Sequence, residues 1–85
     1  MRIRTNQKIK VLSIYDPLYG TTVPQQVTWN GVNHMISEIA SYRARKYGAI
    51  TVHQYMVTNG TLDFHLSFDS ETLSWQLDEV DTVIN

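Results

Sequence analysis

Between Thr51 and Phe68 apolar and polar residues alternate on both sides of a single Asn59-Gly60 dipeptide. A period of two puts successive side chains on opposite faces of a strand, and Asn-Gly between two such runs is the strongest short-range signal for a hairpin. The segment therefore reads as two antiparallel strands closed by a type I′ turn, with Gly60 at positive φ. With Thr58 opposite Thr61, the pairs on one face are Val57 with Leu62, Tyr55 with Phe64, His53 with Leu66 and Thr51 with Phe68. The other face carries Met56, Gln54, Val52, Asp63, His65 and Ser67, a mostly wettable set. The buried face is thereby named before any fold is chosen.

The same logic applies twice more. Asn30-Gly31 joins Gln25–Trp29 to a strand from Val32, pairing Trp29 with Val32, Val27 with His34 and Gln25 with Ile36. A polar loop, Asp69-Ser70-Glu71-Thr72, turns Phe68 back onto Leu73, so that Leu66 meets Trp75 and Phe64 meets Leu77. Lys8–Tyr15, rich in β-branched residues, reads as the first strand, and Asp16–Pro24 as a loop with Gly20. From Met35 to Tyr47 the pattern forks. Met35, Ile39 and Tyr42 have helical spacing, with Gly48 as the residue after a helix C-terminus. A strand with a bulge near Ser37-Glu38 also brings Ile36 and Ile39 inward, followed by a loop or helical turn to Gly48. The bulged strand is favoured. The predicted fold is all-β, with one short helix as the alternative over 35–47: an antiparallel meander of five or six strands closing as a small barrel or half-barrel. One domain spans 1–85, with a core from about residue 8 to about 80 and frayed ends, including Asp81–Asn85.

A chain of 85 residues buries only about 60% of its unfolded surface. With no cysteine, its core must hold the fold without disulfides or thiolate-bound zinc. The apolar run near the N-terminus is too short for a signal peptide or a membrane span, so a cytoplasmic protein is expected. Net charge is −1, but all seven Lys and Arg lie at or before Lys46 against Asp16 and Glu38, a balance of +5, while six carboxylates and no cation follow Gly48. Either the terminal strands lie side by side, Lys8 and Lys10 beside Asp78–Asp81, or the two halves present separate patches to a charged partner.

No catalytic, cofactor or metal signature rises from these residues. His34 and His53 share the core face while His65 points away, so three imidazoles do not converge. Asp63, His65 and Ser67 share a strand face without the cleft that a nucleophile, base and orienter require. Trp29, Trp75, Tyr55, Phe64 and Phe68 fall on core positions, leaving Tyr15, Tyr19, Tyr42 and Tyr47 as the aromatics free for other work. The candidate nucleic-acid-binding residues are Arg43, Arg45 and Lys46, in the least regular segment, flanked by Tyr42 and Tyr47.

The residues Pro24, Val27-Thr28-Trp29-Asn30-Gly31, His34, Ile36, Ile39 and Tyr42, then Tyr55, Val57, Gly60, Leu66, Trp75, Leu77 and Val80, form a pattern over roughly Lys8–Val80. It resembles an uncharacterised bacterial family of small all-β domains, found alone and at the C-terminus of inactive Y-family DNA polymerase homologues. His34 stands where that family has an aromatic, and Tyr42 near its usual tryptophan. The resemblance implies a non-enzymatic binding or accessory module, leaning to nucleic-acid-associated processes, with no catalytic residues. The alternative is a protein-interaction or self-association module using a sheet edge, as a monomer or weak homodimer.

Overall fold

A computed structural model describes residues 2–82. Eight strands follow in order: β1 (Arg2–Lys8), β2 (Lys10–Asp16), β3 (Thr21–Trp29), β4 (Val32–Met35), β5 (Glu38–Tyr47), β6 (Ile50–Thr58), β7 (Leu62–Asp69) and β8 (Ser74–Thr82). They form two antiparallel sheets, ordered β1-β8-β7-β6-β5 and β2-β3-β4. The all-β meander is as expected, but it divides where two long strands bend from one sheet into the other. At Ile9 the first strand changes sheets, with the Ile9 N–H bonded to the Trp75 carbonyl (3.1 Å). At Ile36-Ser37 the same happens: Ile36 N–H donates to Gln25 in the small sheet and Ser37 N–H to Thr58 in the large one, both at 2.9 Å. The result is a half-barrel rather than a closed one.

Several expectations change in detail. Residues 2–8 are a strand, not a frayed end, and pair with β8 from Arg2↔Asp81 to Lys8↔Gln76. Apolar alternation does not announce β1 because it is an edge strand with little to bury. Asp81 and Thr82 belong to β8, pairing with Asp63 and Leu62; the rest of the tail expected over Asp81–Asn85 lies outside the described residues. No helix occurs among the described residues, and the strand alternative over 35–47 extends to Tyr47 without a terminal loop. Gly48 does take positive φ (63°), but as the first residue of a two-residue hairpin loop, Gly48-Ala49, between Tyr47 and Ile50. The register shift falls at Ala40, between Ile39 and Ser41, while Ser37 is the corner; Ile36 and Ile39 both still pack on the core.

The Asn30-Gly31 hairpin has the predicted register, with both turn residues at positive φ (51° and 74°), as type I′ requires. The Asn59-Gly60 hairpin is slipped by two residues: Val57 faces Phe64, Tyr55 faces Leu66 and His53 faces Phe68. Only Gly60 is at positive φ there (95°), so the central pair is Gly60-Thr61, in the manner of type II′. Asn59 uses its side chain instead, its Oδ1 accepting from the Thr61 and Leu62 N–H groups, both at 2.8 Å. The last hairpin is also slipped by two as far as Leu66, Phe68 facing Trp75, because Leu73 is a turn residue (φ 57°); beyond a register shift at Leu66, Phe64 faces Val80. A slip of two leaves every side chain on its predicted face. The buried core is accordingly Val23, Val27, Tyr55, Val57, Phe64, Leu66, Phe68, Trp75, Leu77 and Val80. Val32, paired with Trp29 and on the same face as Val27, is exposed beside its turn.

Two side-chain bonds tie the sheets across this core. The Tyr55 hydroxyl donates to the Thr22 carbonyl, and Asn59 Nδ2 meets His34 Nδ1 at 3.1 Å. His34 also packs on Phe64, which in turn meets the edge of Trp29.

Candidate functional site

The outer face of the five-stranded sheet is built by strand parity. Ladder partners place Ser41, Met56, His65, Glu79 and Arg4 in one row, and Arg43, Gln54, Ser67, Gln76 and Lys8 in the next. Between them runs an open trough of about 340 Å³. Its middle is acidic for a local reason. The ladder shifts between His65 and Leu66, so that β8 has one extra residue, Asp78, between Leu77 and Glu79. Such a bulge re-aims side chains, and Asp78 and Glu79, consecutive in sequence, both line the trough.

Both carboxylates are occupied by their own chain. Asp78 accepts from the Ser67 hydroxyl and from Gln76 Nε2 (2.8 Å). Glu79 lies 3.2 Å from Arg2 Nε, 3.9 Å from Arg4 Nε and 3.8 Å from His65 Nε2. The terminal strands thus do lie side by side, with Arg2 and Arg4 as the cations that answer the acidic strand. Lys8 instead donates to Ser74 Oγ (3.1 Å). Ser67 and His65 turn to different carboxylates, so no nucleophile–base contact exists between them. Among the described residues, no three His, Asp or Glu side chains are placed to hold one metal ion.

The five residues expected to bind together are divided by the strand they occupy. In a loop they could converge; in β5, alternation sends Arg43, Arg45 and Tyr47 to the outer face and Tyr42 and Lys46 to the opposite one. Tyr42 packs against the core, its ring 4.9 Å from Tyr55 and edge-on to Tyr19 at 5.3 Å. Its hydroxyl meets His53 Nδ1 at 2.8 Å, with the two rings stacked at 13°. Burial raises the Tyr42 phenol above its ordinary pKa and lowers the His53 imidazole below its own. Tyr42 is therefore a structural aromatic rather than a platform for a base. Arg43, Arg45, Lys46 and Tyr47 remain exposed.

Within the described residues, Arg43, Arg45 and Lys46 have no carboxylate at ion-pair distance, in contrast to Arg2 and Arg4. They stand on β5, an edge strand of the sheet. The sequence signal that locates this arrangement is Gly48 read as a hairpin residue, which converts the segment before it into a strand. The bulge at Asp78 had no such signal. Among the described residues, no helix is long and apolar enough to cross a membrane. No family model, curated protein or solved structure matches this chain.

Proposed function

We propose that this chain is a non-enzymatic binding module that takes an anionic chain, a single-stranded nucleic acid, along the outer side of β5. The observation that carries the reading is the division of arginines: Arg2 and Arg4 on β1 are engaged by Glu79 and Asp81, whereas Arg43 and Arg45 lie on one face of an edge strand with no internal partner among the described residues. Tyr47, 56% exposed and next in the same row, supplies a ring on which a base can stack. The row is one strand wide, and beyond Gln54 the trough turns to Asp78 and Glu79. A duplex laid across the sheet places phosphates over those carboxylates; a single strand following β5 does not. The lack of cysteine suits a reducing compartment, and a cytoplasmic location is part of the proposal.

Fluorescence anisotropy with single- and double-stranded DNA tests this. Single strands bind preferentially, and raising salt from about 50 to about 200 mM weakens binding roughly tenfold, the counterion release of two or three phosphate contacts. Arg43→Glu with Arg45→Glu abolishes it. Absence of binding at low salt, or binding indifferent to the double variant, rejects the reading.

A second reading, protein interaction through a sheet edge, rests on a separate observation. In β2, an edge strand of the small sheet, Leu12 and Ile14 are 59% and 56% exposed. Edge strands exposing apolar side chains invite another strand.

A further inference from the structure

From the second reading, and resting on it, we infer that the β2 edge pairs antiparallel with β2 of a second copy of this chain, about a two-fold axis through Ser13. The backbone determines which groups are on offer. The two-residue turn at Asn30-Gly31 makes Trp29 and Val32 a hydrogen-bonded pair, and Ile36 N–H donates to Gln25, so the odd residues of β3 bond toward β4. Thr28 and Gln26 then bond toward β2, where their partners are Lys10 and Leu12. The register shift after Leu12 puts its extra residue, Gln25, on β3, so β2 alternates without a break, and Val11, Ser13 and Tyr15 direct their N–H and C=O groups to the open edge.

The side chains fix the occupant and the register. Read from either end, Lys10-Val11-Leu12-Ser13-Ile14-Tyr15-Asp16 is complementary to itself. With Ser13 opposite Ser13 of the second copy, Val11 and Tyr15 exchange hydrogen bonds, exposed Leu12 covers exposed Ile14, and Lys10 meets Asp16, each twice by symmetry. Asp16 keeps an oxygen for this, since only its Oδ1 accepts from the Leu18 N–H (2.9 Å). The other edges lack the property. β1 carries Arg2, Arg4 and Lys8 with no carboxylate, and β5 carries Arg43, Arg45 and Lys46 against Glu38 alone, so either strand paired with its own copy brings two net positive strands together. β4 has only four residues. A seven-residue edge buries less than the roughly 1,200 Å² of a stable interface, so the dimer is weak and forms in proportion to concentration.

The test is sedimentation velocity of the full chain from about 10 µM to about 1 mM, the range in which a contact of this size titrates. Wild type shifts toward a dimer. Lys10→Asp alone and Asp16→Lys alone each weaken association by about tenfold or more, because like charges then face each other. The two together restore it to within about threefold of wild type, which unfolding by either change cannot imitate. A monomer throughout, association indifferent to charge reversal, or no restoration in the double variant overturns the proposal. Amide exchange in dilute protein separates this failure from that of the edge reading. Fast exchange at Val11, Ser13 and Tyr15 in a chain that never dimerises leaves the edge open to a different strand, whereas slow exchange means its own chain covers it and both readings fall.

Discussion

Replacing Asn59 by alanine removes three hydrogen bonds at once. Two are turn bonds, from Thr61 and Leu62 N–H to Oδ1, and the third joins Nδ2 to His34 Nδ1 across the sheets. At about 0.5–1.5 kcal/mol net each, the three bound the loss between about 1.5 and about 4.5 kcal/mol. The bond from Thr61 is at the surface, where water replaces it, so the expected loss is about 2 kcal/mol, or a fall in Tm of roughly 8–16 °C for a domain of this size. Asn59→Asp separates the contributions. It keeps the acceptor for the turn but has no N–H to give the His34 Nδ1 lone pair, and His34 must change tautomer to bond it at all, so it costs about 1 kcal/mol. A double-mutant cycle with His34→Phe then isolates the bond between sheets: in the His34→Phe background the Asn59→Asp change loses its cost, giving a coupling of about 1 kcal/mol. Urea denaturation followed by circular dichroism at pH 8 measures all four proteins. Equal midpoints for the Ala and Asp variants, or a coupling below about 0.3 kcal/mol, refute the claim that this turn ties the sheets.

Four other outcomes follow from the same geometry. Gly60→Val loses about 1–2 kcal/mol and Gly60→Asn distinctly less, since a Cβ there meets nothing within 4 Å and the cost lies in the positive φ alone; urea midpoints rank the two. Phe64→Ala, at a fully buried position in the core, loses about 3–5 kcal/mol of a total of about 4–13 kcal/mol, seen as a collapse of the near-ultraviolet signal on mild heating. Arg4→Ala changes the unfolding free energy from urea denaturation by less than about 0.5 kcal/mol, because the Arg4 side chain is 82% exposed and its contact with Glu79 is long. Acidification acts through His53, whose folded pKa is lowered by burial: its unfolded form takes up a proton first, so stability is full above the ordinary histidine range and falls as pH drops from there toward the folded pKa. His53→Gln flattens that part of a pH–stability profile measured by thermal melts.

Sequence alone located the faces of this molecule better than its registers. Val57, Tyr55, Phe64, Leu66 and Phe68 alternate so strictly that a slip of two left the predicted core intact. Where the slip came from was less legible, because Asn-Gly serves two turn types, and the choice fell to the Asn59 side chain and its bond to His34, a residue 25 positions away. β1 escaped notice because an edge strand that buries little needs no apolar period; its partner is distant in sequence and its signal is charge, Arg2 and Arg4 against Glu79 and Asp81. The candidate site suffered most from one local misreading. Treating 43–46 as a loop allowed five side chains to converge, and a strand cannot converge neighbours. Arg43, Arg45 and Tyr47 stayed together only because they are two apart.

The pairing of β8 with both β7 and β1 has a consequence for how the chain is made. During synthesis the first strand leaves the ribosome with nothing to pair with until residues 74–82 follow, and those residues also bring Trp75, Leu77 and Val80, part of the core. Vectorial folding from the N-terminus has no stable stopping point here. A nascent chain halted before Ser74 exposes Leu66 and Phe68 together with an unpaired β7 edge, a combination that recruits other strands. The larger sheet is complete only once residues 74–82 are available to both of their neighbours, and any pause late in translation lengthens the interval in which the chain is sticky.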